Sequence, residues 1–285
     1  MNSGARRALG YPVAVTVAAL ALCAALTPFA DHDQLAALGV VALAILGYTG
    51  LRLATALGAL PNGLEVALAA SSSPAAPSPS GSTAGASTAD ASTPDASVPD
   101  DSIPAATAGE PDTAASTPDK PTAPRAMPVR MVSVRRVRNQ HRLVSRSWLE
   151  VTGHGGQARV TSWLPVYFDP MLLALTESEA EVGAGSLTVA GVRLYPSGRV
   201  RRAEPPGVLV DNPSRPDPAA STRAVAVTRP VRRLLLDAQS TVAAPFAGLL
   251  WVYVMGGGLS AFAGASAVAG GAAVWLAAVR GSDPS

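Results

Sequence analysis

Long apolar runs lie at both ends of this 285-residue chain, and polar sequence separates them. The longest run covers residues 241–279 and contains no charged side chain. A helix needs roughly 20 apolar residues to cross the hydrocarbon core of a bilayer, so this run predicts two spans, at about 241–257 and 260–279. The break between them falls at Gly256–Gly258, because glycine adopts the backbone angles of a tight turn. The run therefore predicts a transmembrane helical hairpin.

A second hairpin is predicted over residues 11–57, with spans at about 11–30 and 35–57 around the polar turn Asp31–Gln34. Residues 1–10 precede it as a short cytoplasmic segment. A cleaved signal peptide is the alternative for the first span, since a basic start precedes an apolar stretch. The sequence before Asp31 lacks the small residues of a cleavage site and another span follows at once, which favours a retained helix.

Residues 71–125 form a low-complexity segment rich in Ser, Pro, Ala, Thr and Asp, in which a pentapeptide such as ASTPD recurs. The segment has too little apolar surface to offset the entropy of ordering it. We therefore expect a long disordered linker that lets the following domain roam. A glycosylated stalk outside the cell is the competing interpretation.

Residues 127–218 alternate in the manner of short strands and predict a small antiparallel all-β domain, a barrel or a sandwich. Gly153–Gly156 has the composition of a four-residue hairpin turn, and Pro196–Gly198 predicts a second turn. Asp169 and Pro170 begin a short predicted helix. Residues 204–218 are expected to form an extended exit arm. Residues 230–279 are expected to form an amphipathic entry helix that runs into the second transmembrane hairpin and couples the β domain rigidly to the membrane on this side.

The predicted fold class is thus membrane α-helical, with four spans as two hairpins, plus a small antiparallel all-β domain and a long disordered linker. The chain contains 21 Arg and only one Lys, a composition typical of GC-rich bacteria, and its single cysteine excludes a disulfide within the chain. Basic residues near span ends stay on the cytoplasmic side. They predict an inner-membrane protein whose two termini and β domain are all cytoplasmic. These residues are Arg6, Arg7, Arg52, Arg229, Arg232, Arg233 and Arg280.

One face of the first β-hairpin carries basic and aromatic side chains. Arginine, tryptophan and tyrosine near a bilayer favour anionic headgroups, so this face is a candidate surface for docking lipid or a partner. The alternative is that its aromatic rings pack beneath another part of the same domain. Nucleic-acid binding is unlikely, because no recognition motif accompanies the basic residues. The face consists of Arg142, Arg146, Trp148, Trp163 and Tyr167.

The last span carries small residues that would let another helix approach closely. The candidate packing residues are Ser260, Gly264, Ala267 and Gly271. We expect this surface to contact the third span, the first hairpin or a second copy of the protein.

No constellation of catalytic or metal-ligating side chains is evident, and neither a cofactor nor a metal is predicted. His154 follows Glu150 by four residues, but on a strand and turn this spacing does not place both on one face. The sequence therefore favours a non-catalytic interaction or accessory module of an envelope complex. A small transporter subunit is the alternative, and a membrane-bound enzyme is a weaker one.

Overall fold

The computed structural model describes residues 3–64, 66–68, 130–153, 160–183 and 186–285. The predicted linker, residues 71–125, lies outside this part of the chain. Six α-helices are present among the described residues. They are α1 (Ser3–Leu26), α2 (His32–Leu57), α3 (Ala220–Val227), α4 (Pro230–Ala238), α5 (Ala244–Met255) and α6 (Leu259–Val279).

Four helical stretches are long and apolar enough to cross a membrane, and they pair as two hairpins as the sequence predicts. They are Gly4–Phe29, His32–Leu57, Pro230–Met255 and Leu259–Val279. The third stretch begins eleven residues before the predicted span at 241, because α4 continues through a 3-10 turn (Gln239–Ala243) into α5. This continuity agrees with the entry helix predicted to begin at Pro230.

Helix α4 buries the charged side chains of Arg233 and Asp237 and exposes Arg232 and several apolar side chains. Arg233 and Asp237 are 6% and 3% exposed, whereas Val231 and Leu235 are 67% and 66% exposed. In water this arrangement would be unfavourable, because removing apolar side chains from water lowers the free energy. The outer surface of α4 is therefore suited to a lipid environment.

A single antiparallel sheet of seven strands forms the β domain. Its strand order is β3-β2-β1-β4-β5-β6, and β7 pairs with the remaining length of β1. After β6 the chain turns back along the free edge of β3, with bridges at Val166–Pro196 and Trp163–Arg201, so the sheet curls into a half-barrel. The strands are β1 (Arg130–His141), β2 (Val144–Gly153), β3 (Val160–Val166), β4 (Glu177–Gly183), β5 (Ser186–Val189), β6 (Val192–Leu194) and β7 (Val208–Asp211).

The register of the first predicted hairpin is wrong by four residues. A four-residue turn would place Leu149 opposite Val160, but Leu149 pairs with Leu164, and Gly153 pairs with Val160. The loop between the strands thus has six residues. Because four is a multiple of the two-residue strand period, each side chain stays on its predicted face. Leu149, Val151 and Leu164 are fully buried in the core, as expected.

The second predicted turn is also wrong. The hairpin turn lies at Ala190–Gly191, where both residues have positive φ (46° and 75°), which matches the twist of antiparallel strands. Pro196–Gly198 instead runs beside β3, where the Ser197 amide donates to the Pro165 carbonyl at 2.8 Å. The predicted exit arm, residues 204–218, contains β7. The predicted helix at Asp169 is present as a 3-10 turn, and the Asp169 carboxylate accepts from the Met171 amide at 3.0 Å.

The β domain does not roam relative to the helices. Leu64 and Leu68, which follow α2, are buried in the same core as Leu149, and the Val200 amide donates to the Asn62 carbonyl at 3.0 Å. A second cluster joins α1 and α2 to the sheet, with Leu9 packed on Tyr167 and Tyr195. The sheet is therefore fixed against the helix ends from which the chain enters and leaves it.

Candidate functional site

The segment after α6 pairs with the edge of the sheet and carries a buried carboxylate. Residue Ser282 pairs with Arg146 where β3 has ended, and the Asp283 amide donates to the Ser145 carbonyl at 2.9 Å. This backbone pairing adds one isolated bridge at the edge of β2. It places the Asp283 side chain, which is fully buried, at the end of the half-barrel.

Arg136 supplies the counter-charge of Asp283. This arginine is 1% exposed, and its Nη2 lies 3.0 Å from Asp283 Oδ2, while its Nη1 lies 3.6 Å from Asp211 Oδ2. The Ser147 hydroxyl also donates to Asp283. Burial alone would raise the pKa of Asp283, but the Arg136 charge and the hydrogen bonds from Ser147 and Ser285 hold this pKa below its usual value. Asp283 is thus ionised at neutral pH and ties α6 to the sheet.

A second buried carboxylate, Asp237 of α4, ties three elements together. It accepts a hydrogen bond from the Tyr11 hydroxyl of α1 at 2.6 Å and one from the Ser282 hydroxyl at 3.0 Å. Arg233, one turn earlier on α4, lies over the rings of Tyr11 and Phe168 at 4.1 Å and 5.7 Å. These contacts fix α4 between α1 and the sheet.

Four arginines converge beside these contacts, and we call them the arginine cluster: Arg52, Arg146, Arg201 and Arg280. The Tyr48 hydroxyl accepts from Arg52 Nε at 2.9 Å and from Arg280 Nε at 3.4 Å. Arg52 Nη1 also donates to the Ser197 carbonyl at 2.5 Å. Burial, and then repulsion from Arg280 and Arg52, lower the pKa of Arg146 to about 10. None of the four forms a salt bridge with a carboxylate in the described part of the chain.

The predicted docking face is divided between the surface and the interior. Arg142 is exposed at the turn between β1 and β2, whereas Trp148 and Tyr167 are 6% and 1% exposed. Trp163 and Arg146 are half-buried. Arg146 joins the arginine cluster, and the Trp148 ring lies 5.7 Å from the Arg201 guanidinium. Most of the face thus contacts other parts of its own chain. Arg146 lies near arginines of other elements, which the sequence of the hairpin alone does not indicate.

Tyr167 shows how the helices cover this face. Its hydroxyl donates to the Val279 carbonyl at 2.8 Å, at the end of α6, where helix carbonyls lack partners within the helix. Burial raises the pKa of Tyr167, so this side chain is a neutral donor.

Among the predicted helix-packing residues, Gly271 is in close contact with another helix. A Cβ atom on Gly271 would lie 2.9 Å from Leu22 Cδ2 of α1, but one on Gly264 would meet nothing within 4 Å. Ser260 and Ala267 are exposed. Ser260 and Gly264 line a cavity of about 480 Å³ between the two hairpins, at the end away from the sheet. The close contact between α5 and α6 is made at Gly248, which the sequence analysis did not select.

Three polar side chains within the helix bundle contact one another. Trp275 Nε1 donates to Thr49 Oγ1 at 2.9 Å, and Thr49 Oγ1 lies 3.4 Å from Thr16 Oγ1. Thr16 also donates to the Pro12 carbonyl at 2.7 Å. These buried groups are paired with each other and join α1, α2 and α6.

Sequence reasoning did not find Asp283, Arg136 or Tyr48. The spacing of Tyr48 and Arg52, four residues apart on a helix, was an available signal for a shared face. No local signal pairs Asp283 with Arg136, because 147 residues separate them.

Groups of three His, Cys, Asp or Glu side chains that could hold a metal ion do not occur among the described residues. Glu150 is paired with Arg135 at the sheet surface, and His154 lies outside the described residues. Comparisons with protein-family models, curated proteins and solved structures found no match to this chain.

Proposed function

We propose that this chain is a multi-pass inner-membrane protein whose β domain is a non-catalytic accessory module of an envelope complex, held at the cytoplasmic surface. The observation that carries this proposal is the attachment of one sheet to the ends of all four long helices. Tyr167 and Asp283 attach α6, and the residues after α2 attach that helix. Leu9 attaches α1, and Arg233 attaches α4 through the Phe168 ring that follows β3. Such a domain is suited to present a fixed surface beside the bilayer.

The distribution of arginines supports the cytoplasmic orientation. Arg52, Arg233 and Arg280 lie at the helix ends that contact the sheet. The opposite turns carry Asp31, Asp33 and the three glycines. Basic residues at span ends are retained in the cytoplasm, so the end with the sheet is the cytoplasmic end.

An exposed apolar surface of the β domain supports its position at the bilayer. On β7, Val208 and Leu209 are 72% and 54% exposed, and at the β1–β2 turn Leu143 is 49% exposed. Leu143 and Val210 line a cavity of about 190 Å³ together with Leu236 of α4. This surface is thus continuous with the apolar side of α4, and we expect both to lie at the level of the lipid headgroups.

Cysteine labelling tests the membrane topology. In a Cys23→Ala background, Ser260→Cys and Ser221→Cys each introduce one thiol at an exposed position, on opposite ends of the helices. We expect a membrane-impermeant maleimide to label Ser260→Cys in intact cells, and to label Ser221→Cys only after lysis. Labelling of Ser221→Cys in intact cells would place the β domain outside. The accessory role further requires that mild detergent extract the chain together with at least one other protein, because bound detergent alone makes the particle larger than the 28.7 kDa of the chain.

A further inference from the structure

The arginine cluster holds positive charge that the described protein does not neutralise. Arg146 pairs with Ser282, two residues after Arg280, and Arg280 shares the Tyr48 hydroxyl with Arg52. The charged side chains that act on Arg146 are Arg280, Arg52 and Arg201, and Tyr48 is the one neighbour that favours its charge. By contrast, Arg136, only ten residues away in sequence, has two carboxylate partners. Like charges held together in this way destabilise the site unless an anion is present.

The cluster also presents unused hydrogen-bond donors. The Arg146 guanidinium makes no hydrogen bond to any described residue, and Arg280 uses only its Nε, toward Tyr48. Arg52 is held by Tyr48 and by the Ser197 carbonyl, which fixes its position before any ligand arrives. Arg52, Arg146 and Arg280 are half-buried and Arg201 is exposed, so the site is open to solvent. Guanidinium groups bind phosphate oxygens in a two-point geometry.

The position of the cluster indicates where the phosphate comes from. Arg280 directly follows α6, and Arg52 lies five residues before the end of α2. In a helix that crosses the bilayer, these positions are at the depth of lipid headgroups.

We propose that the arginine cluster is a binding site for the phosphate group of an anionic membrane lipid. The site rests on the membrane insertion proposed above, because it requires α2 and α6 to end at the headgroup level. A bound phosphate would supply the missing counter-charge between the sheet and the helices. The lipid would thus strengthen the attachment of the β domain to the bundle.

Lipid titration of the full chain in a neutral detergent tests this site. The probes are phosphatidylglycerol and phosphatidylcholine, and bound lipid is counted by native mass spectrometry. We expect phosphatidylglycerol to bind the wild type about tenfold more tightly than phosphatidylcholine, and Arg146→Gln to lose this preference, since one charge-assisted hydrogen bond accounts for a factor of about ten. Arg280→Gln should behave in the same way.

Arg202→Gln is the matched control, because Arg202 is exposed, adjacent to Arg201 and outside the cluster. It should change the affinity for phosphatidylglycerol less than about twofold. Without lipid, Arg146→Gln should raise Tm by about 2–4 °C, because it removes a charge that lies among like charges.

Several results would overturn the proposal. If Arg202→Gln weakened binding as much as Arg146→Gln, the attraction would be a general effect of net charge. If inorganic phosphate stabilised the lipid-free protein as much as phosphatidylglycerol, the ligand would be a soluble anion. Cysteine labelling reports separately on membrane topology, so a failed lipid site leaves that result unchanged.

Discussion

Replacing Asp283 with alanine is expected to lower the free energy of unfolding by about 3–5 kcal/mol, because it leaves the Arg136 charge buried with a weaker partner. Arg136 would retain the Ser285 hydroxyl and, as its carboxylate partner, only Asp211, which is 3.6 Å away and 41% exposed. For a chain of this size the loss corresponds to roughly 10 °C in Tm. Thermal unfolding of the full chain in detergent micelles, followed by near-ultraviolet circular dichroism, measures it.

Glu150→Ala provides the control for this prediction. The Glu150–Arg135 pair is also a carboxylate–guanidinium contact, at 2.5 Å, but its side chains are 19% and 42% exposed. Such pairs contribute about 0.2–1 kcal/mol. Equal losses of Tm in Asp283→Ala and Glu150→Ala would contradict the assignment of Asp283 as the buried tie between α6 and the sheet.

The pH dependence of stability gives the same prediction a second readout. The pKa of Asp283 in the folded protein lies below its value in the unfolded chain, which is about 3.9. Its contribution is therefore complete above about pH 4 and is lost as the pH falls through the lower, folded pKa. The difference in Tm between wild type and Asp283→Ala should stay constant from pH 8 to about pH 5 and shrink only below about pH 4.

Replacing Gly248 with alanine is expected to lower the free energy of unfolding by about 1–3 kcal/mol through overpacking. A Cβ atom at this position would overlap Ser266 Oγ and would lie 2.9 Å from the Phe262 carbonyl oxygen, both on α6. The backbone oxygen cannot move without shifting α6. The helices α5 and α6 would therefore have to separate, and Tm in detergent should fall.

Gly264→Ala is the matched control, since nothing lies within 4 Å of its added Cβ atom. Alanine favours a helix over glycine by about 0.5–1 kcal/mol, so this variant should be neutral or slightly stabilised. The double variant Gly248→Ala with Ser266→Ala should recover part of the loss, because it removes the nearest atom. The same loss of Tm in Gly248→Ala and Gly264→Ala would contradict the packing described for α5 and α6.

The sequence predicted the helices and the faces of the sheet because both depend on local periodicity. Leu149, Val151 and Leu164 lie in the core for any even change in loop length, because an even shift in register keeps each side chain on the same face of the sheet. The register itself depends on the conformation of the loop between Gly153 and Val160, which composition does not determine. Strand β4 was not predicted, although Ala180 and Val182 alternate with glutamates in it, because its charged residues resemble those of a loop.

The candidate site was predicted only in part. Arg146 was selected because it lies on one face with aromatic residues, and this interpretation of the strand was sound. Its neighbours Arg52 and Arg280 come from two different helices, and the bridge between Arg146 and Ser282 spans more than a hundred residues. No pattern within a single strand indicates that side chains from two distant helices will lie beside it. The same holds for the small residues of α6, where spacing identified Gly271 but also Gly264, which lines a cavity.

Disulfide cross-linking of the full chain tests whether the β domain is fixed on the ends of the long apolar helices. In a Cys23→Ala background, Arg146→Cys with Ser282→Cys joins two paired residues. The control pair is Ser133→Cys with Ser282→Cys. Ser133 pairs with Thr152, six residues along β2 from Arg146, or about 20 Å at the rise of a strand.

A protease site inserted at residues 212–215 reports the cross-link, because the two fragments stay together on a non-reducing gel only when the disulfide has formed. We predict that mild oxidation of membranes joins residues 146 and 282 and does not join residues 133 and 282. Equal cross-linking of both pairs would show that the domain moves freely on its connections. Cross-linking of neither pair would show that residues 146 and 282 are not paired, and either result would contradict the attachment described for α6 and the sheet.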